Sequence, residues 1–261
     1  ALSRSLNIPA VQMLRNYGVA PFHNFLQKAG MKSLTQNPDY YGLSLILGGA
    51  EITLWDLAGM YTSLVSILKN YGENDGAYKI EPFKELIWEK NISKSKIEKV
   101  ESAQPEIRAG SVYSTLQALL EVKRPDSETG WDEFISARNI AWKTGTSFGF
   151  RDAWALGMTQ KYVVSVWVGN ADGEGRQGLT GVSAAAPLLF DVFRLLPNCD
   201  WFEMPVDEME QIEVCSESGY RPGLNCETTK DIWVPKGTKV EVCPWHIKVH
   251  LNESGTHRVN A

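Results

Sequence analysis

Apolar residues recur at helical spacing in four stretches of the chain. Within each stretch they stand three or four positions apart, which places them on one face of an amphipathic helix. Thr53 and Asp56 stand at the start of the second stretch as in a helix cap, and Pro197 follows the fourth. The predicted helices, which we expect to pack on a core through their apolar faces, lie within 22–29, 54–68, 112–119 and 185–195.

Between the third and fourth predicted helices the pattern changes to short segments rich in Trp and Val. These segments are 140–143, 152–158 and 162–169, and turn-forming or charged residues bound each of them. Short connections join them, so we predict three consecutive antiparallel strands. Helices, then a meander, then a further helix indicate an α+β fold in which helices flank an antiparallel sheet.

The sequence changes character once more after the fourth predicted helix. Helical periodicity fades, prolines recur, and the apolar runs 232–234 and 239–242 are typical of strands. We place a domain boundary near 198–206. The predicted organisation is a large domain at 1–200 and a small β-rich module at 201–261.

All the cysteines lie in the last quarter of the chain, at Cys199, Cys215, Cys226 and Cys243. A small module has a thin core, and two disulfides, in one of three pairings, would stabilise it. Zinc is the alternative, because Cys243-Pro-Trp-His246 has the form C-x-x-H. The other gaps, of ten and sixteen residues, are unlike the close pairs of zinc knuckles. We therefore expect disulfides and no metal.

The composition is that of a globular protein with a sizeable core. The chain has 261 residues, a net charge of −5 and 43% apolar residues, which excludes a disordered or low-complexity chain. The mild acidic excess argues against nucleic-acid binding, which needs a concentrated basic surface. No apolar run reaches the about 18 residues that a membrane span requires.

The strongest candidate for chemistry is Lys143-Thr144-Gly145-Thr146, at the end of the first predicted strand. Lysine can bind a carboxylate or supply a proton, and the threonine hydroxyls can donate hydrogen bonds. Gly145 would let a ligand lie close to the backbone, and an exposed strand edge can pair with an extended peptide. Taken alone, K-T-G is also compatible with a plain strand and turn.

A second candidate is Ser5-Leu6-Asn7, which on its own predicts only a helix cap. S-x-N followed by K-T-G, however, resembles the serine acyltransferases that include penicillin-binding proteins and class A β-lactamases. Longer segments resemble the transpeptidase domain of class A penicillin-binding proteins, nearest to their 1C subgroup, and 215–246 resembles the C-terminal module of that subgroup. The transpeptidase-like segments are 1–11, 41–54, 115–125, 141–157 and 166–170.

This resemblance implies peptidoglycan D,D-transpeptidation through a serine acyl-enzyme, without a cofactor. It implies the corresponding fold, an antiparallel sheet flanked by helices with its N-terminal part missing. Ser5 would relay a proton to the leaving amine, Asn7 would bind the substrate amide, and Lys143 would hold Ser5 in its network. The implied catalytic residues are Ser5, Asn7 and Lys143, and the implied substrate-binding residues are Thr144, Gly145 and Thr146.

One family motif is not where the resemblance requires it. The nucleophile should lie in S-x-x-K upstream of Ser5, whereas the chain has S-x-x-K only at Ser66 and Ser93. We expect Ser66 to lie on a helix surface and Ser93 in a solvated loop, and we expect neither serine to be the nucleophile. The expectation is a fragment, inactive alone, of a periplasmic parent that is anchored in the inner membrane and also carries a glycosyltransferase domain.

The implied partners are peptidoglycan stem peptides and, for the full-length parent, β-lactams. Apolar surface that the missing part would cover can favour oligomers of the fragment. The alternative is a non-catalytic module that binds cell-wall peptide or a partner through the strand edge and the Cys-rich segment. A β-lactamase is a third interpretation, and the match to a C-terminal module argues against it.

Overall fold

The computed structural model describes residues 1–78, 86, 106–125 and 138–259. The lysine-rich stretch around Ser93 lies outside these residues. The chain divides into two compact units, Ala1–Pro205 and Val206–Ala261.

Among the residues that the structure describes, the first unit contains six α-helices, and the four helices predicted from periodicity are confirmed within it. Thr53 caps the longest helix, since its hydroxyl oxygen accepts a 3.0 Å hydrogen bond from the Asp56 amide. The last helix starts one residue later than predicted, because the five residues before it form a π turn, Gly181–Ala185. The helices are α1 Asn7–Tyr17, α2 Val19–Lys28, α3 Pro38–Tyr41, α4 Leu54–Glu73, α5 Ala109–Leu120 and α6 Ala186–Leu195.

Three antiparallel strands form the sheet that the described part of this unit contains, and all three were predicted. They are β1 Ala141–Thr146, β2 Asp152–Met158 and β3 Val163–Gly169, in the spatial order β1-β2-β3. The register pairs Lys143 with Leu156 and Gly145 with Trp154. Within the described residues β1 is therefore an edge strand, and one side of it pairs with no other strand.

The described side chains of the first unit form two apolar clusters. The larger surrounds the sheet and contains buried side chains of α4, α5 and α6, among them Leu116 and Phe190. The smaller lies among α1, α2 and the 3-10 turn Gly42–Leu47, and Leu14 is its buried residue on α1. Helix α4 contributes side chains to both clusters, so it links the N-terminal helices to the helix-flanked sheet.

The second unit is built on one long two-stranded ladder, β4 Met209–Cys215 with β5 Thr229–Pro235. A short pair, β6 His250–Leu251 with β7 Arg258–Val259, follows it. The predicted strand at 232–234 is confirmed within β5. The predicted strand at 239–242 is wrong: there only Val242 forms a bridge, to Arg221, and a strand needs a pairing partner along its length.

Candidate active site

Trp142 anchors β1 in the core and thereby positions the K-T-G-T segment. Its side chain is buried, its indole N–H donates a 3.1 Å hydrogen bond to the Val122 carbonyl, and its ring packs edge-on against Phe190 at 5.1 Å. From Trp142 onwards exposure increases along the strand, through half-buried Lys143 to exposed Thr146. The candidate residues thus lie where β1 leaves the core.

The Lys143 side chain is half-buried beside the strand backbone. Its Nζ donates a 2.9 Å hydrogen bond to the Thr144 carbonyl oxygen. Burial lowers the pKa of Lys143, because removal from water disfavours the charged ammonium. Lys143 therefore releases its proton more readily than an exposed lysine, which suits a group that exchanges protons with a hydroxyl.

Thr146 is held in place by the π turn that precedes α6. The backbone N–H of Gly181 donates a 2.9 Å hydrogen bond to Thr146 Oγ1. A side chain at Gly181 could not fit, since its Cβ would lie 2.6 Å from the Gly145 carbonyl oxygen and 2.8 Å from Thr144 Cβ. Sequence reasoning missed Gly181, because its close approach to β1 arises from packing between elements distant in sequence.

Gly145 is exposed, and packing does not require it to be glycine. A Cβ built there would lie 3.5 Å from Trp154 Cβ, which is an ordinary van der Waals contact. Gly145 also has no left-handed backbone. The fold would accept alanine at this position, so packing gives no reason for a glycine there.

Ser5 and Asn7 lie at the entrance to α1, and both are exposed. Ser5 occupies the left-handed backbone region with φ 54°, and Asn7 is the first residue of the helix. The expected helix cap is not formed, because the N-cap residue is Leu6 and no side chain caps the first turn. Neither side chain donates or accepts a hydrogen bond among the described residues.

The structure does not join Ser5 or Asn7 to Lys143 by a hydrogen bond within the described residues. Helix α1 packs through the smaller apolar cluster, whereas β1 packs in the larger one. Convergence of the three side chains on one cleft therefore stays a prediction. By contrast, Lys143, Thr144, Gly145 and Thr146 are brought together by β1 itself.

The S-x-x-K string at Ser66 lies on α4, as expected. Lys69 is exposed and pairs with Glu73 at 3.8 Å, one turn further along the helix. A general-base lysine must face the hydroxyl that it deprotonates, whereas Lys69 is engaged with Glu73 at the exposed surface of the helix. Ser66 therefore lacks the neighbour that would activate it as a nucleophile.

The prediction of disulfides is wrong for this structure, in which all four cysteines are free. Cys215, Cys226 and Cys243 instead gather around His246, with their donor atoms within 4.8 Å of one another. Three thiols around one imidazole do not sort into pairs. The only local sequence signal for this cluster was the C-x-x-H string.

None of the helices that the structure describes has the length and apolar character of a membrane crossing. A cavity of about 320 Å³ opens between α2 and α4, with Lys28 and Trp55 among its lining residues. None of its lining residues belongs to β1, so it is separate from the K-T-G-T segment.

Similarity to known proteins was found both in sequence and in structure. Penicillin-binding protein 1C of Escherichia coli (strain K12) is 33% identical over 196 residues, which are 75% of this chain and 22% of that protein. Penicillin-binding protein 1A of Aquifex aeolicus (strain VF5) is 28% identical over 215 residues, 80% of this chain and 27% of that protein. The chain thus spans about a quarter of the length of these relatives, and no family model matches it.

The fold is similar to that of a solved penicillin-binding protein. The crystal structure of penicillin-binding protein 1A from Haemophilus influenzae matches with a TM-score of 0.63 at 18% identity. The match covers 94% of this chain and 40% of that one, and it supports the α+β fold. Sequence and structure agree, and the chain therefore belongs to the class A penicillin-binding proteins.

Proposed function

We propose that this chain is part of a serine D,D-transpeptidase that cross-links peptidoglycan. The observation that carries the proposal is the position of K-T-G-T on the edge of β1 that pairs with no strand among the described residues, where a ligand backbone can add to the sheet. Gly145 leaves room for that backbone, and Lys143 supplies positive charge beside it. An anionic, extended peptide fits such an edge.

The terminal carboxylate of the stem peptide is bound by the hydroxyls of Thr144 and Thr146 and by the charge of Lys143. A hydroxyl can accept one hydrogen bond while donating another. Thr146 Oγ1 already accepts from Gly181, so its own proton is available to the carboxylate. The Thr146 backbone N–H can serve as one oxyanion donor, a contribution typically worth about 3–4 kcal/mol.

Chemistry proceeds through an ester on the family's nucleophilic serine. Its Oγ attacks the penultimate D-alanine carbonyl, the peptide bond breaks, and D-alanine leaves with a proton relayed by Ser5. The amine of a second stem then attacks the ester, releasing the serine and forming the cross-link. Asn7 positions the substrate amide, and Lys143 exchanges the proton with Ser5.

The nucleophile is proposed to belong to the longer parent protein, since neither Ser66 nor Ser93 is suitably placed in the sequence. The parent acts in the periplasm, anchored in the inner membrane, where stem peptides and β-lactams reach it. On this proposal the 261 residues alone are not acylated.

Fluorescent penicillin tests the proposal directly. We expect it to label the full-length parent covalently, and to leave the 261-residue chain unlabelled. Lys143→Ala in the parent should abolish labelling, while Lys161→Ala, at an exposed lysine, should not. A labelled Ser66 or Ser93 peptide, or full labelling of the Lys143→Ala parent, would overturn the assignment.

A second function, non-catalytic binding of cell-wall peptide, is favoured by the exposed Lys69–Glu73 ion pair, because the lysine of the S-x-x-K string at Ser66 is engaged with Glu73 instead. On this alternative, penicillin acylates neither the 261-residue chain nor the longer parent protein. An unlabelled parent that nevertheless retains peptidoglycan in a pull-down, and loses it on Lys143→Ala, would support binding over catalysis.

A further inference from the structure

We propose that Cys215, Cys226, Cys243 and His246 form a structural zinc site in the second unit. This metal replaces the disulfides that the sequence suggested there. The inference does not depend on the transpeptidase proposal, since it concerns a different unit and different residues.

The distances fit one metal ion at the centre of the four side chains. His246 Nδ1 lies 3.4 Å from Cys215 Sγ, 3.3 Å from Cys226 Sγ and 3.6 Å from Cys243 Sγ. A tetrahedral ion with Zn–S of about 2.3 Å and Zn–N of about 2.0–2.1 Å places sulfur and nitrogen about 3.5 Å apart. The three nitrogen–sulfur distances are thus those of a tetrahedral zinc site, and all four donor atoms lie within 4.8 Å of one another.

Hydrogen bonding alone does not explain these contacts. One ring nitrogen carries either one proton or one lone pair, so Nδ1 cannot form three hydrogen bonds at once. The other nitrogen, Nε2, lies 3.0 Å from Glu217 Oε2 and donates its proton to that carboxylate. In the neutral imidazole Nδ1 then carries the lone pair, and it faces the three sulfurs. Carboxylate–histidine–metal triads orient their imidazoles in this way.

Polar neighbours support the sulfurs as well. The Ser218 hydroxyl donates a 3.2 Å hydrogen bond to Cys243 Sγ, and the Gly223 backbone N–H donates one of 3.3 Å to Cys226 Sγ. Such donors stabilise thiolates, which are the form that binds metal. Zinc binding displaces the three thiol protons to solvent and involves no change of oxidation state.

The backbone brings the ligands together from three separate segments. Cys215 ends β4, Cys226 lies in the connection to β5, and Cys243 follows the bridge between Arg221 and Val242. The Cys243 amide donates a 2.8 Å hydrogen bond to the Arg221 carbonyl, and Asn225 Nδ2 donates to the His246 carbonyl at 3.0 Å. A single ion would therefore link all three segments.

The second unit has a small apolar core, so a metal ion that links its segments would stabilise it. Its buried apolar side chains, among the described residues, are only Met209 and Val214 together with the buried thiols Cys215 and Cys243. A core this small seldom stabilises a module by itself, and metal binding can supply the missing folding free energy. Three thiolates and one imidazole fill all four positions, which is typical of a structural rather than a catalytic zinc site.

Metal content and intact mass of the full 261-residue chain, purified under reducing conditions, test the site. We expect one zinc per chain for the wild type and for the control Cys199→Ser, whose cysteine lies in the first unit. Cys226→Ser should retain less than a tenth of that amount. The proposal would be overturned if zinc-free wild type did not take up one equivalent of Zn²⁺ in the presence of reductant. It would also be overturned if the zinc-free chain were lighter by two hydrogens because of a disulfide among the three cysteines.

Two measurements keep the test valid if Cys226→Ser fails to fold. Co²⁺ added to metal-free wild type should give thiolate charge-transfer and tetrahedral d–d absorption, and absence of these bands contradicts the site. Glu217→Gln should weaken zinc affinity by about 10–100-fold because it removes the orienting carboxylate, whereas the matched exposed control Glu253→Gln should not. Equal affinities for the two variants would contradict the geometry inferred for His246.

Discussion

The amide of Gly181 donates a 2.9 Å hydrogen bond to the hydroxyl of Thr146, and so joins the π turn before α6 to the last residue of β1. The two residues are 35 positions apart in the sequence. This contact sets the direction of the Thr146 hydroxyl, because the oxygen must face the buried amide. The position of the proposed carboxylate-binding residue therefore depends on packing of the π turn against the sheet.

Gly181→Ala is expected to destabilise the first unit. The new Cβ would lie 2.5 Å from the Trp154 carbonyl oxygen and 2.6 Å from that of Gly145, and backbone atoms cannot rotate away. Overpacking of this kind typically costs about 1–3 kcal/mol. Chemical denaturation of the full chain measures it, and a free energy of unfolding equal to that of wild type would show that the turn does not pack as described.

Gly145→Ala should have the opposite profile, with stability preserved and function lost. Its Cβ meets Trp154 Cβ at 3.5 Å, so the free energy of unfolding should change by no more than about 0.5 kcal/mol. In the full-length parent, the same methyl group would obstruct a ligand lying against β1 and slow labelling by fluorescent penicillin at least tenfold. Labelling at the wild-type rate would exclude close approach of a ligand at Gly145.

Thr146→Val tests the hydrogen bond to Gly181 separately from the volume of the side chain. Valine keeps the shape but leaves the buried Gly181 amide without its acceptor, at a typical cost of about 1–3 kcal/mol. Thr146→Ser retains the hydroxyl and is expected to stay closer to wild type. If both variants unfold at the same denaturant concentration, the hydroxyl does not act as the acceptor.

Lys143→Met is expected to raise the melting temperature near neutral pH. Burial lowers the pKa of Lys143 in the folded chain, whereas the unfolded chain keeps the ordinary value near about 10.4. Between those two values the unfolded state binds more protons, so wild-type stability rises with pH. The difference in melting temperature between Lys143→Met and wild type should therefore shrink as the pH approaches the pKa of Lys143 in the unfolded chain.

Thermal unfolding of both chains across the alkaline range measures this effect. Lys161→Met, at an exposed lysine, is the control and should show a difference from wild type that does not vary with pH. If the difference in melting temperature between wild type and Lys143→Met did not vary with pH, burial would not lower the pKa of Lys143.

Local pattern was sufficient to predict most of the elements in the first unit. Apolar spacing predicted α2, α4, α5 and α6, and the Trp- and Val-rich runs predicted the meander. These succeed because periodicity and capping are properties of neighbouring residues. The K-T-G-T segment was found for the same reason, since one strand carries all of its side chains.

The features that were predicted wrongly or not at all share a physical cause: each depends on residues far away in the sequence. The predicted strand at 239–242 failed because only Val242 finds a pairing partner. The close approach of Gly181 to β1 and the gathering of Cys215, Cys226 and Cys243 around His246 follow from ladder register and packing. Local sequence fixes residue chemistry and element type, whereas long-range pairing determines which side chains meet.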